Sequence, residues 1–495
     1  MKKTKIIFIL FFLFLFLVFF GCPNPIEKKD TKPENEPDTI PENGPFGTLS
    51  ENFGPTESWT FMIYMDADNN LEQAAIGDFN EIISGLKNLG KPNIKVVVLI
   101  DRISGYNDTN FLGESSNWYG ARIYEMNQDD TFTKKTNGWF TDGAEINMGD
   151  PNTLKNFINY CKTNYPSQHY ALILWNHGGG ARSRSYGSSS ERSSVKAVCW
   201  DDTNGGDCLY LDEVQQAVSQ YFNSSNKLDF IGFDACLMAT VEVAYEFRDL
   251  AKVMAGSMAT EYGDGWDYEK LFQGMKDGSS NDAIELGKLV VKQYKESTIS
   301  KQKTDQTQSA IDLSKIGALK TALDNLAVAI YNENKKSSIE SLRDLAYHFY
   351  SDDEESIDYP YYDIYSLCAK LYNNLIDISD NLKLKIKNVI DNLKSAVIAA
   401  YAGSKYGNYY GVGSDVKRGL SIFFSRGNLT YDNLSHYAYQ WWYTSEDTNA
   451  WWPGGHYYGY IDFANSDTDG IVETWRELME AWYDPDQSNY TPGKY

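Results

Sequence analysis

The chain has 495 residues, 42% hydrophobic and 23% charged, a globular composition long enough for two or three domains around a large core. Its formal net charge of −23 argues against a nucleic-acid partner, because phosphate binding needs a basic footprint, and suits cationic peptides or divalent metal instead. The cysteines Cys22, Cys161, Cys199, Cys208, Cys236 and Cys368 include no C-x-x-C pair, so structural zinc is not expected. A local Cys199–Cys208 disulfide stays open in an oxidising compartment.

Residues 1–21 read as a secretory signal peptide. Lys2, Lys3 and Lys5 precede the apolar run Ile6–Phe20, which at about fifteen residues is short for a membrane span. Gly21-Cys22 resembles the end of a bacterial lipobox. That implies a lipidated Cys22 and an exported chain, anchored through the lipid at the bacterial cell surface or in the periplasm. An uncleaved anchor helix is the alternative, and it too leaves the chain outside a membrane. Residues 22–55 hold many Pro, Glu, Asp, Lys and Asn and few apolar residues. They cannot offset chain entropy by burial and read as a disordered linker.

The folded part, 56–430, alternates apolar runs with helical periodicity. Trp59–Met65 and Ile94–Ile100 read as buried strands on either side of a helix over Leu71–Leu86. Residues 106–150 suit a hairpin and loops, and 152–164 a helix. Tyr170–Trp175 is an apolar strand running straight into Asn176-His177-Gly178-Gly179-Gly180. The next residues, to 196, are mostly Gly, Ser and Arg, the composition of an exposed loop. A helix over Leu211–Phe222 precedes a second buried strand, Leu228–Phe233, which runs into Asp234-Ala235-Cys236. Leu237–Leu250 is expected as helix, Lys252–Thr260 as strand, and 281–300 and 314–400 as mainly helical. Gly419–Phe424 is expected to join the main sheet. This alternation predicts an α/β layer structure with a mostly parallel central sheet. Residues 431–495 form an aromatic-rich C-terminal extension.

Two strand ends carry the chemistry. Ligands gather at the carboxyl ends of strands in an open parallel sheet, which is where His177 and Cys236 fall. Taken singly, such a His is a structural residue and such a Cys a small hydrophobe. The three glycines after His177 change that, because they permit close backbone approach and free amides for an oxyanion. Cys236, at the start of the expected helix, would gain from a helix amino terminus that lowers thiol pKa.

The His-Gly block and Asp-Ala-Cys, each closing a strand, resemble the clostripain family of cysteine peptidases, which shares the caspase–haemoglobinase fold. FMIYMDADNNLE (61–72), IGFDACLMA (231–239), GDGWDY (263–268) and GLSIFF (419–424) extend the resemblance across residues 58–430. The resemblance implies a caspase-like α/β/α sandwich and a His/Cys dyad that acts through an acyl-enzyme. Cys236 would be the nucleophile and His177 the general acid/base. The amides of Gly178 and Cys236 would form the oxyanion hole. No third triad member and no cofactor is required for this chemistry. Asp234 matches the carboxylate at the base of the S1 pocket, which implies protein or peptide substrates cut after Arg or Lys. A buried carboxylate suits those side chains physically; a helix cap is the alternative role. Trp266 is expected to offer the substrate an aromatic face, with core packing as the alternative.

Members of the family often mature by cutting the loop between His and Cys after a basic residue, which makes Arg182, Arg184, Arg192 and Lys196 candidates here. Many also depend on calcium. Asp66-Asp68-Asn69-Asn70 and Asp467-Asp469-Glu473 are oxygen-rich, but the first reads as a strand–helix cap and the second lacks the full twelve-residue loop pattern. Two other functions compete: a surface-binding lipoprotein that stacks glycan or peptide on its Tyr/Trp-rich tail, and a peptidase of this fold that cuts after a non-basic residue.

Overall fold

The computed structural model describes residues 58–91, 93–106, 117–181, 198–276, 282–349, 361–406, 419–424, 458, 461–465 and 470–483. The expected signal peptide, Cys22, the expected linker and the four candidate cleavage residues lie outside them. Every residue of β1 (Trp59–Ala67) is buried. Phe61, Ile63 and Met65 enter one core while Met62 and Tyr64 enter another, so β1 must lie between two helical layers. The chain continues through α1 (Glu72–Leu86), β2 (Ile94–Arg102), the hairpin β3 (Gly120–Met126) and β4 (Phe132–Lys135), α2 (Pro151–Asn164) and β5 (His169–Trp175). After the small hairpin β6 (Val198–Asp201) and β7 (Asp207–Leu209) come α3 (Leu211–Ser219), β8 (Leu228–Asp234), α4 (Val241–Glu246) and β9 (Ala251–Gly256). Then follow α5 (Tyr268–Lys276), α6 (Ala283–Ser300), β10 (Thr307–Asp312), α7 (Ile316–Glu333), α8 (Lys336–Arg343), β11 (Tyr361–Asp363), α9 (Ile364–Asn374), α10 (Asp380–Ala396), β12 (Val397–Ala402), β13 (Ser421–Phe423) and α11 (Trp475–Tyr483).

Nine strands form one sheet in the order β12-β10-β9-β8-β5-β1-β2-β3-β4. The middle five are parallel, and antiparallel strands close both edges. Side chains of α1, α5 and α6 cover one face; those of α2, α3, α4, α7, α9 and α10 cover the other. The result is the α/β/α sandwich expected of a caspase-like fold.

Three local expectations are corrected. Val397–Ala402, most of it inside a stretch read as helical, is the edge strand β12, and Thr307–Asp312, between the two stretches read as helical, is a strand paired to β12 on one side and β9 on the other. β13 does not enter the main sheet; it pairs with β11 in a separate two-stranded sheet. The helix after Cys236 starts at Val241, capped by the Thr240 hydroxyl, and Leu237 has a positive φ of 64° that breaks the path between them. Cys199 and Cys208 are both buried and are not joined in a disulfide. Tyr458, Phe463, Trp475, Leu478 and Trp482 share the core of the α7 side, so the described parts of 431–495 are built into that layer. Among the described residues no helix is long and apolar enough to cross a membrane.

Candidate active site

The sheet order reverses at β1: the chain leaves it for β2 on one side and later returns to β5 on the other. Ligands bind at the carboxyl ends of the strands flanking such a reversal. β5 and β8 are in register with Trp175 opposite Asp234, and the Asn176 amide donates to the Asp234 carbonyl at 3.3 Å. His177 and Cys236 therefore each stand two residues beyond a paired position, on neighbouring strand ends spaced about 4.8 Å apart.

A web of asparagines holds the histidine side. Asn176 is buried and donates from Nδ2 to the Asp66 carbonyl at 2.7 Å and the Trp200 carbonyl at 3.1 Å, while its Oδ1 accepts the His177 amide. Asn69 donates to the same Trp200 carbonyl at 2.7 Å. His177 Nε2 donates to Asn70 Oδ1 at 2.8 Å. With Nε2 carrying that proton, Nδ1 is the basic nitrogen of the neutral ring.

The cysteine side meets it through Gly178. A Cβ on Gly178 would lie 3.0 Å from the Cys236 nitrogen and 2.9 Å from the Ala235 Cβ, so only glycine fits there. The Cys236 thiol is half-buried; Sγ accepts the Glu261 amide at 3.2 Å and faces the Glu261 carbonyl at 3.8 Å. Burial pushes the thiol pKa up, and the Asp234 charge adds to that rise. The amides of Glu261, Cys236 and Gly178 pull the other way. The expected helix amino terminus is absent from the thiol's surroundings, because α4 begins five residues later and its place is taken by single amides.

Below the thiol lies a carboxylate cluster. Asp234 is 3% exposed and accepts the Trp266 amide at 3.2 Å on each oxygen and the Tyr268 hydroxyl at 2.9 Å. Burial pushes it up to about 6 against those bonds. Asp78 on α1 accepts the Trp175 indole at 2.7 Å; burial first and then the Asp234 charge hold it well above the usual carboxylate range. Glu261 is raised likewise by burial and then by Asp234 and Cys236, and its Oε2 is buried without a hydrogen-bond partner. Burial thus raises all three carboxyls, and each like charge opposes ionisation of its neighbours. Among the described residues none of the three forms an ion pair. Sequence reasoning found Asp234 but not Asp78, Glu261, Tyr268 or Asn70. Glu261 does open the loop that carried the GDGWDY signal.

Trp266 is 2% exposed, with its indole against Gly232 and edge-on to Phe230. The ring is core rather than an open aromatic face, because Gly232 leaves a slot that it fills; its amide serves the pocket by holding Asp234. The oxygen-rich turn at 66–70 divides in two. Asn69 and Asn70 turn to Trp200 and His177, while Asp68 joins Asp101 and Glu145, one oxygen of each lying within 4.8 Å of the others. Of the second oxygen-rich stretch, Asp467 and Asp469 lie outside the described residues.

Fold and strand-end chemistry together place the chain among caspase-fold cysteine endopeptidases. The profile of the clostripain family matches residues 63–475. The chain is 34% identical to clostripain from Hathewaya histolytica over 490 aligned residues, 88% of this chain and 89% of that protein. It belongs to the clostripain family. Among solved structures it is similar to a secreted C11 cysteine protease from Bacteroides thetaiotaomicron bound to an irreversible peptide inhibitor, with a TM-score of 0.54 at 20% identity over 78% of this chain and 97% of that one. An inactive zymogen C11 protease from Parabacteroides distasonis gives 0.52 at 19% identity, over 75% and 93%.

Proposed function

We propose that the chain is an exported, lipid-anchored endopeptidase that cuts after Arg or Lys by a His177/Cys236 dyad. The carrying observation is the buried Asp78–Asp234–Glu261 cluster beneath the Cys236 thiol, where a charge without an ion partner awaits a cationic side chain. The His177 imidazole takes the thiol proton as Sγ attacks the scissile carbonyl carbon. The carbonyl electron pair moves onto oxygen, where the amides of Gly178 and Cys236 hold it. Both amides already favour an anion on sulfur, which supports that assignment. Collapse expels the amine, which takes the proton from His177, and leaves a thioester. Water gives a proton to His177, hydrolyses the thioester and returns the thiol.

The substrate assists its own attack. The Asp234 charge raises the thiol pKa, so a guanidinium that neutralises Asp234 lowers it as the peptide seats. Export and the lipid on Cys22 rest on residues 2–22. Self-processing after Arg182, Arg184, Arg192 or Lys196 is supported by the bridge between Gly178 and Val198, which keeps both ends of that loop beside the dyad. An intact chain in both native and Cys236→Ala preparations, read by mass spectrometry, would overturn the self-processing step. The activity itself is tested with paired fluorogenic peptides ending in Arg or Lys and in Asp or Asn. Turnover confined to the basic pair and lost in Cys236→Ala is expected; turnover of the acidic pair, or of neither, refutes it.

A further inference from the structure

His177 is followed by three glycines, and the second and third of them meet one phenol. Glycine backbones are the least constrained of all, so an amide within such a run keeps its direction only if neighbours hold it. In front, the His177 amide is held by Asn176 Oδ1, and Gly178 itself bridges to Val198. Behind, the buried Tyr361 hydroxyl donates to the Gly179 carbonyl at 3.0 Å. Gly180 has a φ of 69°, and a Cβ there would lie 2.8 Å from Tyr361 Oη and 3.0 Å from the Leu237 carbonyl oxygen. Leu237 directly follows Cys236, so the end of the glycine run is wedged between that phenol and the cysteine's own segment.

The small sheet that carries the phenol also reaches the cysteine side. Tyr361 lies on β11, opposite Phe423 of β13. The Ser421 amide of β13 donates to the Ala239 carbonyl at 3.1 Å, and the Phe423 amide to Glu242 Oε1 at 2.8 Å. Ala239 and Glu242 stand three and six residues after Cys236. The two strands therefore grip both chain segments that leave the dyad, one through β11 and the other through β13. The C-terminal region backs them, because the Trp475 indole donates to the Phe423 carbonyl at 2.8 Å.

We propose that Tyr361 is a positioning residue for the oxyanion hole, its hydroxyl fixing the glycine run so that the Gly178 amide faces the peptide oxygen held over Cys236. That amide favours an anion on the Cys236 sulfur, which places it toward the reacting end of β8. Tyr361 touches no reacting atom and acts through the backbone that it pins. Without the pin, the run samples other φ and ψ, and the developing oxyanion meets a less well aimed donor. The inference rests on the reading of His177 and Cys236 as the dyad and on the oxyanion role given to Gly178.

Tyr361→Phe keeps the ring and its edge contact with Phe423 and removes only the donor. One hydrogen bond sets the scale: kcat on a fluorogenic peptide ending in Arg should fall about three- to tenfold, with KM within about twofold. A peptidyl argininal should bind more weakly by the same factor, because Sγ adds to its aldehyde carbon and leaves the oxygen in the hole. Alkylation of Cys236 by iodoacetamide displaces iodide at a saturated carbon and makes no oxyanion, so its rate should not change. An unchanged kcat, or an aldehyde affinity equal to wild type, overturns the inference and leaves the dyad standing. Alkylation altered as much as turnover also overturns it, since that is general damage to the site. Wild-type chain that turns over no Arg or Lys peptide overturns the dyad reading instead, and the inference falls with it.

Discussion

Replacing Asp234 by Asn tests the specificity pocket with little change of shape. The carboxamide keeps one acceptor for the Trp266 amide and can donate to the Tyr268 hydroxyl, so the β8 end should stay in place. What disappears is the charge. Removing one partner of a buried ion pair costs about 3–5 kcal/mol. Asp78 and Glu261 remain as polar neighbours, which favours the lower figure; about 3 kcal/mol is roughly a 150-fold fall in kcat/KM for peptides ending in Arg. Steady-state kinetics on wild type and variant read this directly. The thiol supplies an internal control, because losing the Asp234 charge lets Cys236 ionise at lower pH. Alkylation by iodoacetamide should therefore be as fast or faster while turnover collapses. A kcat/KM within about threefold of wild type would refute the argument, since that is under 1 kcal/mol of recognition.

Other perturbations act on different parts of the site. Gly178→Ala drives a methyl into Ala235 and the Cys236 backbone, which should lower stability by about 1–3 kcal/mol and abolish turnover, read by thermal unfolding beside the activity assay. Asn70→Ala should lower kcat about three- to tenfold with little change in KM, the value of one lost hydrogen bond to the imidazole. Burial raises Asp201 to about 6 and Glu145 and Glu81 to about 7 in the folded chain. Folded-state values above the unfolded ones mean stability present at low pH and lost as pH rises through those values. The chain should melt at a lower temperature near about pH 8 than near about pH 5.5; a flat profile would contradict this.

Much of this was readable before any coordinates. The central strands announce themselves because both of their faces are buried, so Ile173, Leu174, Ile231 and Phe233 form runs that nothing polar interrupts. His177 and Cys236 stood out because each follows the end of such a run within three residues. Strands outside the parallel centre hide. β10 reads TQSAID, and four of its six side chains are polar, so its pairing partners decide its state rather than its own pattern. Long-range partners hide as well. Asn70 lies 107 residues from the imidazole it holds, and Asp78 sits on the face of a helix whose periodicity is satisfied without it. The helix amino terminus expected at Cys236 failed for a local reason: Leu237 takes a left-handed conformation that the apolar pattern of 237–250 does not reveal.

The central claim is that Cys236 attacks the carbonyl of a basic residue seated over Asp234. Labelling with peptidyl chloromethyl ketones that end in Arg, and in Asp as control, followed by tandem mass spectrometry, addresses it most directly. The account predicts one adduct, on Cys236, from the Arg reagent alone, and much slower labelling in His177→Ala and Asp234→Asn. An adduct on another cysteine, or equal labelling by the two reagents, would contradict it.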